Sequence, residues 1–121
     1  MENGKNTILT KSFSLAKSVI ILSRKLQGEK KEYDISRQLL RSATAIGAMV
    51  REAQQGESKA DFIHKLAIAL KEAKESEYWI ELLIATEILN KKEVYEVSTL
   101  LNECISMLTA IIKTSRSRII R

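Results

Sequence analysis

The stretch DISRQLLRSATAIGAMVREAQQG, residues 34–56, decides the fold. At about 100° per residue, Ile35, Leu39, Ala43, Ile46, Val50 and Ala53 fall on one face. Arg37, Arg41, Thr44, Ala48, Arg51 and Gln55 fall on the other side. Asp34 offers an N-cap and Gly56 a stop, so the pattern predicts an amphipathic helix over residues 35–55.

The same period continues in both directions. Upstream, Leu15, Ala16, Val19, Leu22, Ser23 and Leu26 line one face of a helix over residues 11–27. Lys17, Arg24 and Lys25 lie on its other face, and Gly28 ends it. Downstream, Ser58 and Asp61 have capping-box spacing, and a helix is expected over residues 59–89. Its core stripe reads Phe62, Leu66, Ala69, Ala73, Ile80 and Ile84, with Glu77 inside the stripe. Asn90 to Glu93 offers another cap, and Val97, Leu101, Cys104, Leu108 and Ile111 mark a fourth helix over residues 92–117. Short connections between amphipathic helices favour an all-α, antiparallel up-down-up-down four-helix bundle, with residues 1–121 as one domain. A three-helix arrangement would have to run straight through Gly28, Gly56 or Asn90.

Composition agrees. The 121 residues include no proline, only 4 glycines and 5% aromatic residues. Proline is excluded from helix interiors, and this mixture suits helices rather than a sandwich or barrel. A single cysteine rules out an internal disulfide and fits a reducing compartment. With no signal-peptide pattern and no long apolar run, the chain is expected to be cytoplasmic and not membrane-bound.

The net charge of +5 is unevenly placed. Residues 1–31 carry seven basic and two acidic side chains, residues 72–103 three basic and eight acidic, and residues 104–121 four basic and none acidic. Basic ends can attract a polyanion such as RNA. In an antiparallel bundle, Lys11 and Lys17 are expected to join Lys113, Arg116, Arg118 and Arg121 in one patch. Arg37 and Arg41, with Arg51, form a further arginine stripe that suits phosphate. No aromatic residue interleaves with that stripe in sequence, which argues against a base-stacking platform.

Chemistry-bearing groups are few. A di-iron bundle site needs two Glu-x-x-His pairs, and this chain has 1 histidine, His64, so neither a metal nor a cofactor is expected. Cys104 lies on an apolar face and reads as a buried, unreactive thiol. No phosphate loop or nucleophile motif is present, so no catalytic residue is assigned. Glu77, inside an apolar stripe, is expected to be buried against an arginine: Arg41, Arg51 or Arg37. Ile68, Trp79 and Leu82 form a second apolar stripe on the third helix, expected to pack against another subunit.

Several stretches have a family look: residues 36–53 (SRQLLRSATAIGAMVREA), 57–65 (ESKADFIHK), 69–73 (ALKEA) and 75–79 (ESEYW). Their order and spacing resemble the four helix bundle proteins also called 23S rRNA intervening sequence proteins, over about residues 12–115. The resemblance implies a homopentameric ring. It also implies a relation to the accessory proteins of diversity-generating retroelements, basic pentamers that bind nucleic acid and a reverse transcriptase. Met49 stands where the family commonly has asparagine, so no role of that asparagine carries over. The expected function is a non-catalytic oligomeric module that binds RNA or a ribonucleoprotein through basic surfaces. The alternative is a protein-interaction or structural scaffold with no nucleic-acid role. A metalloenzyme is disfavoured by the ligand count.

Overall fold

The computed structural model describes residues 7–120. Four helices follow one another: α1 (Ile8–Gly28), α2 (Asp34–Gln54), α3 (Lys59–Ala85) and α4 (Tyr95–Ile120). No strand occurs among the described residues. Packing joins α1 to α2, α2 to α3, α3 to α4 and α4 back to α1, with no diagonal pair in contact. This is the up-down-up-down four-helix bundle that the apolar stripes predict.

The core is aliphatic. Leu15, Val19, Leu26, Leu39, Ile46, Val50, Leu66, Leu83, Leu101 and Leu108 are almost wholly enclosed, with Ala43, Ala69 and Ala73 between them. Five serines are buried among these residues: Ser12, Ser23, Ser36, Ser42 and Ser76. Ser42 and Ser76 share a hydrogen bond of 2.7 Å between α2 and α3. Ser36 accepts from Gln27 Nε2 at 3.0 Å, joining α2 to α1. Gly47 of α2 lies beside Ser12 of α1, where a Cβ would stand 3.6 Å from the Ser12 backbone oxygen, an ordinary van der Waals contact. Small residues thus line the seams of α1, α2 and α3, and the hydroxyls of Ser12, Ser36, Ser42 and Ser76 are satisfied locally or across the seam, while Ser23 Oγ has no partner among the described residues.

Helix ends explain the differences from the sequence boundaries. α1 starts earlier than residue 11 because Thr7 caps it, its hydroxyl accepting from Thr10 N–H at 3.2 Å. Asp34 is the first helical residue rather than the cap. Glu32 does the capping, its carboxylate accepting from the backbone of Ile35 and Ser36 at 3.1 and 2.8 Å. Gly28 is the last residue of α1 rather than its left-handed terminator, and the reversal falls on Lys31 at φ 57°.

α3 stops at Ala85, not near residue 89. Glu87 adopts φ 62°, its N–H bonds Ile84 O at 3.0 Å, and Ile88 N–H bonds Leu83 O at 3.0 Å. That is a Schellman motif closed by glutamate in place of the usual glycine, so the sequence carries no stop signal there. Asn90 and Glu93 then bond each other's backbone N–H at 2.9 Å, as their spacing predicts. The turn they build runs on to Val94 before α4 begins.

Replacing Glu87 by glycine removes the strain of a left-handed L-residue without touching a core contact. Glu87→Gly is expected to stabilise the protein by about 1 kcal/mol, read as a higher urea midpoint at unchanged slope. A loss of stability would show that the Glu87 side chain contributes more than its backbone costs.

Candidate nucleic-acid-binding surface

Ion pairs along the seams sort the charged residues. On the α1–α4 seam, Lys11 pairs with Glu103 at 3.0 Å, Ser18 donates to Glu96 at 2.7 Å and Lys25 pairs with Glu93 at 3.0 Å. The Asn90 N–H and Lys25 together hold the Glu93 carboxyl below its ordinary range, and Glu93 in turn raises Lys25. On the α2–α3 seam, Lys65 pairs with Glu52 at 3.1 Å. Arg41 reaches Glu72 at 3.1 Å and Glu75 at 2.6 Å. Glu75 also accepts from the Trp79 indole at 3.2 Å. The Arg41 guanidinium, helped by that indole, holds the Glu75 carboxyl below the usual carboxylate range, and Glu72 and Glu75 raise Arg41.

Arg41 is therefore occupied by two carboxylates of its own chain rather than offered to phosphate. Nor is it the partner of Glu77. Glu77 keeps 37% of its side chain exposed and faces Lys74 at 3.8 Å. Leu66, Ala69, Ala73 and Ile80 of the expected α3 stripe are buried, but Ile63, Ser76 and Leu83 take the places expected for Phe62, Glu77 and Ile84, of which Phe62 and Ile84 are half-buried against the core. Ser76, a polar residue that the apolar pattern passes over, takes the buried position. Similarly, Ile112 rather than Ile111 is buried on α4.

The expected patch of Lys11 and Lys17 with the basic tail does not gather. Lys11 lies opposite Glu103, so α1 begins level with about residue 106, and α4 runs on past it for about 20 Å. Lys113, Arg116 and Arg118 are exposed on that overhang. Arg121 lies outside the described residues. Lys17 and Arg37 turn instead to the outer α1–α2 face, where Arg24 and Arg51 join them. Lys17 and Arg51 flank the Phe13 ring at 5.6 and 5.5 Å from its centroid, and Arg37 stands 5.8 Å from that of Tyr33. The antiparallel register, set where Gly47 meets Ser12 and Ser36 meets Gln27, puts Arg24 level with about Arg37. None of Lys17, Arg24, Arg37 and Arg51 has a carboxylate within 4.0 Å among the described residues.

Aromatic residues do accompany these arginines, contrary to the linear reading. They come from the neighbouring helix and from the loop before α2, which spacing along α2 alone does not reveal. Phe13 is 51% exposed, and Leu9 and Ile20 are exposed beside it. A helical wheel of α1 carried back to Leu9 shows this second stripe. Trp79 is half-buried on the α2–α3 flank, packed against the edge of the core, and Ile68 and Leu82 are half-buried as well.

Other reactive groups are quiet. Cys104 is fully buried, and burial pushes its thiol up to about 11. His64 is exposed on α3. Among the described residues no three His, Cys, Asp or Glu side chains are grouped to hold a metal ion, and no helix is long and apolar enough to cross a membrane.

Fold and surface together define a small aliphatic four-helix-bundle protein whose carboxylates close the seams and leave one face cationic. The profile of the 23S rRNA-intervening sequence proteins matches residues 4–110, and the chain belongs to that family. A crystal structure of a protein of unknown function from the S23 ribosomal protein family of Bacteroides thetaiotaomicron is 46% identical, with a TM-score of 0.86. The likeness covers 88% of this chain and 99% of that one. Among curated proteins no match is found.

The corrected α3 phase has a measurable consequence. Glu77→Ala is expected to change stability by less than about 0.5 kcal/mol. Ser76→Leu, which forces volume into the narrow α2–α3 seam, is expected to cost about 1–3 kcal/mol. Urea unfolding of both variants checks the order, and a larger loss for Glu77→Ala would restore the buried-carboxylate reading.

Proposed function

We propose that the chain is a non-catalytic, oligomeric bundle protein of the cytoplasm that binds RNA or a ribonucleoprotein through its basic surfaces. The observation that carries this reading is the segregation of charge. Lys17, Arg24, Arg37 and Arg51 on the α1–α2 face, and Lys113, Arg116 and Arg118 on the α4 overhang, have no carboxylate within 4.0 Å among the described residues. Cations that find no internal partner are available to an external polyanion. Membership of a family named for intervening sequences of 23S rRNA supports the same direction. So does the resemblance to retroelement accessory proteins.

Oligomerisation supports such binding, because a ring repeats each patch and raises avidity without new contacts. The half-buried stripe of Ile68, Trp79 and Leu82 is the proposed subunit contact, and five copies is the number the resemblance implies. Light scattering at micromolar concentration is expected to report an oligomer, and a monomer would remove this part of the proposal.

The RNA reading is tested by titrating labelled RNA at low and near-physiological salt. Four phosphate contacts predict a loss of affinity of roughly fifty-fold between about 50 and about 200 mM salt. Replacing Lys113, Arg116 and Arg118 by alanine, and separately Lys17, Arg24, Arg37 and Arg51 by glutamine, locates the contacts. No binding at low salt would leave the protein as an interaction scaffold, the reading that exposed Phe13 and the Trp79 flank favour.

A further inference from the structure

The α1–α2 face has two features that a phosphate-binding surface alone does not require. Phe13, the largest apolar side chain on it, is half open to water, and it stands between two cations contributed by different helices. Tyr33, 43% exposed, has one cation over its ring, Arg37, near the other end of α2. Exposed aromatic rings beside guanidinium groups that have no carboxylate within 4.0 Å among the described residues match the chemistry of unpaired nucleotides. Base faces stack on rings and on guanidinium planes, while phosphates take the remaining N–H donors. A duplex offers phosphates but keeps its base faces stacked inside.

A second copy of the chain is the other occupant to weigh, and charge argues against it. A two-fold contact through this face would set Lys17, Arg24, Arg37 and Arg51 against their own equivalents. A head-to-tail contact needs an acidic surface. Yet Glu72, Glu75, Glu77, Glu93 and Glu103, most of the acidic third quarter, are held by Arg41, Lys74, Lys25 and Lys11 of the same chain. An external polyanion meets no such competition.

We infer that the α1–α2 face is a binding surface for single-stranded RNA, on which unpaired bases stack on Phe13 and Tyr33 while Lys17, Arg24, Arg37 and Arg51 take the phosphates. The inference rests on the RNA-binding reading and narrows it to unpaired, sequence-tolerant strands. The test compares three labelled probes of about twelve nucleotides, within the usual site size for such surfaces. They are an oligouridylate, an abasic strand of the same length and an RNA duplex, each titrated at low salt by fluorescence anisotropy. The oligouridylate is expected to bind at least about five-fold more tightly than the other two, the lower end of what one stacked base contributes.

Phe13→Leu keeps an apolar side chain but no ring, and is expected to weaken oligouridylate binding by about five-fold while leaving the abasic strand unchanged, with Tyr33 still in place. Arg51→Gln is expected to weaken both. Helical circular dichroism and light scattering confirm that each variant is folded and assembled. Equal affinity for all three probes would overturn the stacking surface and leave the RNA reading standing. No binding to any probe would remove both. Phe13→Leu that changes the assembly state while leaving oligouridylate affinity intact would assign this face to a second copy instead.

Discussion

The bundle depends on close helix approach through small residues. Gly47 meets Ser12 across α1 and α2, Ser42 meets Ser76 across α2 and α3, and Ser36 sits under Gln27. Large side chains at these points would push the helices apart and open gaps between the leucines beyond them. The serines also give the packing a register that leucine alone does not. Sliding one helix by a turn would break the 2.7 Å bond between Ser42 and Ser76, leaving each hydroxyl only the carbonyl of its own helix. Ser23 Oγ, buried without a partner among the described residues, is the exception to this economy.

Register in turn sets the electrostatics. With α1 and α4 fixed, Lys11, Ser18 and Lys25 fall opposite Glu103, Glu96 and Glu93. With α2 and α3 fixed, Arg41 and Lys65 fall opposite Glu72, Glu75 and Glu52. Each exposed pair contributes modestly to stability. Their larger effect is on the charge left over. Glu52, Glu72, Glu75, Glu93 and Glu103 are drawn into two seams, and on the α1–α2 face, whose seam is built from glycine, serine and glutamine, Lys17, Arg24, Arg37 and Arg51 have no carboxylate within 4.0 Å among the described residues.

Much of this was legible in the sequence. The aliphatic stripes of α1, α2 and α4 placed the core to within a residue, and the absence of proline made four long helices the natural reading. What escaped was polar or relational. Ser76 at a core position shifted the α3 stripe, because a serine buried for its size and hydroxyl looks like solvent-facing sequence. Glu87 ended α3 without glycine, because backbone geometry and the Ile88 contact outweighed the strain of one residue. Arg41 was expected to face phosphate or Glu77, because its actual partners, Glu72 and Glu75, lie thirty-odd residues away on another helix and linear spacing does not single them out. The pairing of Phe13 with Arg51 was invisible for the same reason. The candidate surface was thus half legible: Lys17, Arg24, Arg37 and Arg51 by charge, their gathering on one face with Phe13 only by fold.

The ring of neighbours α1–α2–α3–α4–α1 also implies an order of assembly. Three of the four contacts join helices adjacent in the chain, across short turns whose closure costs little entropy. The fourth, between α1 and α4, must close the whole intervening chain, and its outer edge is a ladder of exposed charged and polar pairs. The three contacts between chain-adjacent helices are therefore expected to form before the α1–α4 seam closes. The same seam is then the first to part when the protein breathes, so backbone amides of α2 and α3 outlast those of α1 and α4 in deuterium exchange.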